Sequence, residues 1–313
     1  MKNKFILALS IAVILSLLTG CIGQKATDET TTRGNIKIAV DESYKLLMDT
    51  EVFTFQSLYP DAKINAIITN EFDAVNLLLQ DSVRLIVISR QLTKAEDDQL
   101  KSKQFIARNT KIAFDALAFI VNKDNPDSNL RFDQIRDIFS GKISKWSQIN
   151  KNSKLEGINV VFDNAKSGNP RYVKEKFKIA DNFPSNCFAV KSNEEVVNYI
   201  KNNKNGLGII SVNWISDSQD TISNKFLQQI IVAGISEEGD IEGYGPFMKP
   251  YQGYIAEGSY PFTRDVYTIC REPYAGLGTG FASFVAGDQG QRIVRRSGLV
   301  PAQIPIRLVE IKR

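Results

Sequence analysis

Histidine is absent from all 313 residues. That excludes Ser–His–Asp and Cys–His triads, histidine general bases and most zinc chemistry, and leaves only carboxylate- or lysine-based catalysis open. Cysteine is scarce: three residues cannot form a readable disulfide framework. Cys187 and Cys270 lie in apolar strand-like runs (CFAV and VYTIC) and read first as buried free thiols, with a bridge between them as the alternative. Charge of one sign is lacking too. The formal net charge of +4 falls to +2 once a leader carrying Lys2 and Lys4 is discounted, too mild to argue for nucleic acid or an acidic membrane surface. What is present is ordinary: 43% hydrophobic and 24% charged residues, and enough chain for two domains with real cores.

The N-terminus carries the clearest address. Lys2 and Lys4 precede an apolar run at 5–18, short for a spanning helix, followed by Leu18-Thr19-Gly20-Cys21. This pattern reads as an export signal over residues 1–20. The LTGC ending resembles the bacterial lipoprotein box, which makes Cys21 the lipidation site and anchors the exported protein to a membrane, facing the periplasm or cell exterior. A standard secretory signal with a chance cysteine is the alternative. Ile22, in place of Asp, allows transfer to an outer membrane by lipoprotein rules. Residues 21–33 are polar and Thr-rich and read as a tether.

From residue 34, strand-like segments (36–40, 63–69, 84–89) alternate with helical spacing at 44–58 and 72–81. A polar helix at 94–104 and a long apolar stretch at 112–121 follow. This predicts an α/β domain with a largely parallel sheet. The turn cluster NKDNPDSN (122–129) marks a crossover point into a second α/β unit, with helices at 132–139, 172–177 and 194–201 and strands at 158–162 and 207–212. Residues 239–259 read as loop-rich, 266–270 and 306–311 as strands, and 280–297 as one amphipathic segment. The organising stretch is INVVFDNAKSGNPRYVKEKF (158–177): a β-branched run, a turn bearing Ser167 and Gly168, and a helix with Pro170 in its first turn. Such a joint offers unpaired N–H groups and a helix dipole to an anion, or is simply an ordinary connection.

Several phrases resemble, in order, the phosphate-binding protein of bacterial phosphate ABC importers, the PstS-type periplasmic solute-binding protein. They are SRQLTKAE (89–96), IAFDALAFIVNKDNP (112–126), LRFDQIRDIFSGKISKW (130–146) and VVFDNAKSGN (160–169), then NGLGIISV (205–212), YPFTRDVYTICREP (260–273) and GFASFVAGDQGQRIVRRSGLVP (280–301). The resemblance implies an α/β, two-lobed periplasmic-binding-protein-like (type II) fold with a central cleft and two crossover strands. Lobe 1 would comprise 34–119 and 251–313 and lobe 2 would comprise 120–250, closing on ligand about a hinge. It further implies a lipid-anchored, non-catalytic solute-binding protein, monomeric and without cofactor or nucleic acid, that carries phosphate or a related oxyanion to an ABC permease. The alternative keeps the fold as a surface sensor or interaction protein for a different small polar ligand.

Carried over residue by residue, the resemblance places the ligand turn on Ser167, Gly168 and Asn169, with Asn where the family has threonine. The first-lobe loops fall on Ser43, on Thr69 and Asn70, and on Ser89 and Arg90. Asp163 falls where the family has an arginine. Three readings of it stand side by side. In one, Arg90 supplies positive charge, with Lys166 adding to it, and Asp163 accepts a ligand proton or partners an arginine. In another, Asp41, Glu42 and Asp163 make the cleft too acidic for phosphate. In the third, Asp163 only caps the following turn. Glu71 and Asp73 read as solvent-facing residues at a helix start, and Trp146 and Trp214 as core.

Overall fold

The computed structural model describes residues 29–216, 221–240, 242 and 244–303. The leader, Cys21, most of the tether and the strand expected at 306–311 lie outside them. Strand β1 (Gly34–Asp41) runs parallel to β2 (Ala62–Thr69) and β3 (Leu85–Ile88). Its alternation sends Ile36, Ile38 and Val40 to one face and Ala39 to the other. The helix Lys45–Leu58 covers the first face with Leu47, Met48, Val52 and Phe55. The helix Glu71–Leu79 covers the second with Ala74, Val75, Leu78 and Leu79. Burial on both faces is what a parallel arrangement requires.

Strand β4 (Arg108–Asn122) is the spine of the molecule. Its first part pairs antiparallel with β11 (Thr263–Cys270), and from Leu117 to Val121 it pairs antiparallel with β8 (Gly206–Ser211). Strand β8 continues parallel to β6 (Asn159–Phe162), and β6 to β7 (Cys187–Ala189). The resulting order is β2-β1-β3-β11-β4-β8-β6-β7; β9 (Ile230–Val232) and β12 (Val300–Pro301) flank β4, and β5 (Asn129–Leu130) pairs with β10 (Gly234–Ile235). The fold is a two-lobed α/β structure whose lobes share β4.

Three expectations need correction. The sheet is parallel at its two ends and antiparallel at its centre, because β11 inserts between β3 and β4 from the far end of the chain. Alternating β and α segments imply parallel neighbours only when successive strands lie side by side. The chain passes from one set of strands to the other inside β4, after Ala116, and not at the turn that follows Asn122. The amphipathic stretch 280–297 is two helices, Leu277–Ala286 and Asp288–Arg296, meeting at Gly287. They fold back tightly enough that a Cβ on Gly290 would stand 2.5 Å from the Val285 carbonyl oxygen. The loop-rich stretch 239–259 includes a short helix, Gln252–Glu257, which does not conflict with that reading. Cys187 and Cys270 are free thiols.

One core residue is out of place chemically. Glu51, in the helix Lys45–Leu58, is fully buried and neither carboxylate oxygen has a hydrogen-bond partner. Burial pushes its pKa up to about 9. An acid raised on folding adds no penalty below its unfolded pKa, and its penalty grows as pH rises toward the folded value. Stability should therefore fall between about pH 5 and pH 9. Glu51→Gln should abolish that slope and add about 3 kcal/mol at pH 7. Urea denaturation at pH 5 and pH 8 checks this, and an equal wild-type-to-variant difference at both values would refute it.

Candidate functional site

The site gathers where the C-terminal end of β1 meets the turn after β6. Asp41 closes β1, and its Oδ1 accepts the Ser43 N–H at 2.8 Å, which caps the single helical turn Glu42–Tyr44. Its Oδ2 accepts the Gly168 N–H of the opposite lobe at 3.2 Å. Ser167 caps the helix Gly168–Phe177 by accepting the Asn169 N–H at 3.4 Å, and its hydroxyl donates to Asp163 Oδ1 at 2.7 Å. Asn169 Nδ2 donates to that same oxygen at 2.9 Å. A carboxylate of the protein thus stands at the helix N-terminus, the position that attracts anions.

Glu71 corrects the solvent-facing reading: it is 2% exposed. It accepts the Ser89 hydroxyl at 2.6 Å and the Ser89 N–H at 3.2 Å. From the other lobe Arg171 donates to it through Nε and, at 3.2 Å, through Nη2, which also reaches the Ser89 hydroxyl at 2.8 Å. Arg90 Nε adds a bond at 3.2 Å. Burial pushes the Glu71 carboxyl up, but Arg171, Ser89 and Arg90 outweigh it and hold the group below the usual range. Asp73 stays part-exposed and pairs loosely with Lys166 at 3.7 Å. The Phe72 N–H donates to the Lys166 carbonyl at 3.2 Å, a further tie between the lobes.

The guanidinium facing this cluster belongs to Arg264 on β11, 6% exposed. Its Nε donates to Asp115 Oδ2 at 2.9 Å; Nη2 lies 2.8 Å from that oxygen without aiming an N–H at it. Asp115 also accepts Tyr44 Oη at 3.2 Å and Ser211 Oγ at 2.9 Å. Arg264 Nη1 stands 3.4 Å from where a Cβ on Gly168 would sit, and Glu71 Oε2 stands 2.9 Å from it. Arg264 Nη1 and Nη2, Ser43 Oγ, Asp163 Oδ2, Asn169 Oδ1 and Asn193 Oδ1 are buried without a hydrogen-bond partner. Buried polar atoms are normally satisfied, so such a convergence makes this a candidate binding site.

Three carboxylates of this cluster, Asp163, Glu42 and Asp41, titrate above the usual range. Burial, then the neighbouring Asp41, pushes Asp163 up to about 7. Burial and Asp163 bring Glu42 to about 7, against the bonds it accepts from Asn193. Asp41 is raised by burial and by Glu71.

Of the sequence candidates, Ser43, Ser89, Asp163, Ser167, Gly168 and Asn169 come together here. Thr69 lies beside Asp41 at the end of β2, and Asn70 spends its side chain capping the next helix against Asp73. Arg90 keeps Nε on Glu71 but turns its Nη1 and Nη2 to Glu96 at 2.7 and 2.8 Å. The residues that sequence reasoning passed over are Glu71, Asp115, Arg171, Asn193 and Arg264. Asp115 did carry a signal: it is the single charge in the apolar run 112–121, a residue type that is buried only when partnered.

The PBP superfamily domain matches residues 25–289, and this chain belongs to that superfamily. Among curated proteins it is similar to the phosphate-binding protein PstS of Pseudomonas aeruginosa, 23% identical over 292 residues, covering 88% of this chain and 85% of that one. PstS of Staphylococcus aureus is 24% identical over 254 residues, covering 78% and 71%. The fold matches a substrate-binding protein assigned to phosphate ABC transport, with bound phosphate, from Clostridium perfringens: TM-score 0.70, 20% identity, 85% of this chain and 99% of that one. It also matches an ABC-type phosphate transport receptor from Vibrio cholerae: TM-score 0.63, 21% identity, 85% and 99%.

The Glu71 latch makes its own prediction. A carboxyl depressed on folding stabilises above its unfolded pKa and loses that contribution as pH falls through the folded value. Glu71→Gln should cost about 2 kcal/mol at pH 7, since it strips two arginines of one buried partner. The difference from wild type should shrink on acidification below about pH 4. A pH-independent difference in urea unfolding would contradict the latch.

Proposed function

We propose that this chain is an exported, non-catalytic solute-binding protein that holds phosphate or a related oxyanion between its lobes and delivers it to an ABC permease. Arg264 carries the reading: a buried guanidinium whose Nη1 has no hydrogen-bond or ion-pair partner and faces a glycine at a helix N-terminus with serine hydroxyls around it. That is the donor set of a planar-cation oxyanion clamp. Ser43, Ser89, Ser167, Gly168 and Asn169 surround the ion, and Thr69, Asn70 and Arg90 form the first-lobe rim. Relatives named for phosphate binding support the ligand class. The lobes are 34–119 with 251–313, and 120–250, hinged where β4 changes partner. Cys21 carries the lipid anchor, and the protein acts as a monomer without cofactor or nucleic acid.

In this reading Asp163 exchanges a fixed positive charge for a titratable group. Its free Oδ2 accepts a proton-bearing oxygen of the ligand or, when protonated, donates to one. Above pH 7 Asp163 and Glu42 ionise, and their added charge repels an anion, so affinity should fall with rising pH. By calorimetry, phosphate binding should weaken at least about threefold from pH 6 to pH 8.5, and Asp163→Asn should flatten that profile. Ser43→Ala removes an unpartnered hydroxyl, so it should weaken phosphate about tenfold with no loss of thermal stability. Absence of phosphate heat at millimolar concentration would exclude the reading.

Asp41, Glu42 and Asp163 lying together support a second reading, in which the same cleft holds a different small polar ligand and the protein is a surface sensor. Thermal stabilisation by an amine-bearing ligand and none by phosphate would decide for it.

A further inference from the structure

A cavity of about 640 Å³ opens beside the helix Gly168–Phe177, with Glu71, Phe72 and Arg90 of the opposite lobe on one side of it. Its wall is apolar, built from Phe162 at the end of β6, Pro170, Phe183 on the segment before β7, and Phe188 in β7 itself. Its lining charges are Arg90, Lys166, Arg171 and Lys174 against Glu71 and Glu175. Both carboxylates are already engaged by Arg171, Glu175 at 2.5 Å. Lys174 has no carboxylate partner among the described residues; its ammonium lies 5.2 Å from the centroid of the Phe183 ring.

We propose that this cavity is a second ligand site, for a small aromatic anion: one fused ring system bearing a single carboxylate, sulfonate or phosphoryl group. It goes beyond the oxyanion reading: the cavity shares Ser167, Glu71 and Arg90 with the cleft but not Asp41, Asn169 or Arg264, so it adjoins the oxyanion position without coinciding with it. The volume falls in the range of small-molecule pockets, about 300–1,000 Å³. A bare inorganic anion gains nothing from the phenylalanine wall, and a neutral apolar molecule desolvates the Lys174 ammonium without compensation. A ring stacked on Phe183 and Phe188, with its charge toward Lys174, satisfies both. Arg171 touches the occupant and also Glu71 and Ser89 of the other lobe. Occupancy is therefore coupled to cleft closure, and the coupling is reciprocal.

The test titrates 2-naphthoate into the purified protein at saturating inorganic phosphate, read by calorimetry. Saturable binding of one equivalent with Kd below about 1 mM is expected, with 2-naphthamide at least about tenfold weaker. Lys174→Glu should weaken naphthoate at least about tenfold, and Ala189→Trp, which fills the mouth, should block it. Both positions are at least partly solvent-exposed, and an unchanged thermal midpoint shows that the variants fold. Non-saturable binding, equal affinity for the amide, indifference to Lys174→Glu, or displacement of naphthoate by inorganic phosphate would each overturn the proposal.

Discussion

One buried carboxylate sets the geometry on which the site depends. Asp115 sits on β4 just before that strand exchanges β11 for β8, and it binds Arg264 from β11, Tyr44 from the turn after β1 and Ser211 from the end of β8. Its neighbours Ala113, Ala116 and Leu117 are fully buried. A buried ion pair contributes little net stability, because desolvation offsets the Coulomb gain. What the network yields is direction. With Nε committed to Asp115, Nη2 beside the same carboxylate oxygen and the aliphatic stem fixed in the sheet, Nη1 of Arg264 is turned toward Gly168. The same network fastens the loops of both lobes to the shared strand.

Charge balance in the cleft follows from that arrangement. Arg171 and Arg90 are neutralised by Glu71 and Glu96, and Arg264 by Asp115. No ion pair among the described residues is left for Asp41, Glu42 and Asp163, which repel one another in a dry environment. Burial first, and then this repulsion, raises all three, and brings Asp163 and Glu42 to about 7. A site built this way can change its charge within the physiological range, which a site built on an arginine at position 163 could not.

The fold was largely legible because it rests on periodicity. The β-branched runs of β1, β2, β6 and β8 and the helical spacing of Leu47, Phe55, Val75 and Leu78 report burial directly. Strand order was not, since β11 joins β3 and β4 from more than 140 residues away. The site was legible where chemistry and local geometry coincide, as in the Ser167–Asn169 turn. It failed at Glu71, because an acidic residue at a helix start has a sufficient local explanation in the helix dipole, and only the tertiary approach of Arg171 shows otherwise. It failed at Arg90 for the opposite reason. The Thr93–Glu96 capping box builds a local acceptor that draws the guanidinium aside.

The helix Gly168–Phe177 ties these parts into one device. Gly168 has no need of a left-handed backbone; it is glycine because Glu71 and Arg264 approach within contact of its missing Cβ. Three residues on, Arg171 crosses to Glu71 and Ser89, and three further, Lys174 reaches the aromatic wall of the adjoining cavity. Residues three apart share a helix face, so the cleft contact, the latch and the cavity cation move as one rigid unit. Opening the cleft must break the Gly168–Asp41 and Arg171–Glu71 bonds together, and whatever restrains the outer end of this helix restrains both. Closure is therefore a property of the helix as a whole, and the two cavities it borders cannot be energetically independent.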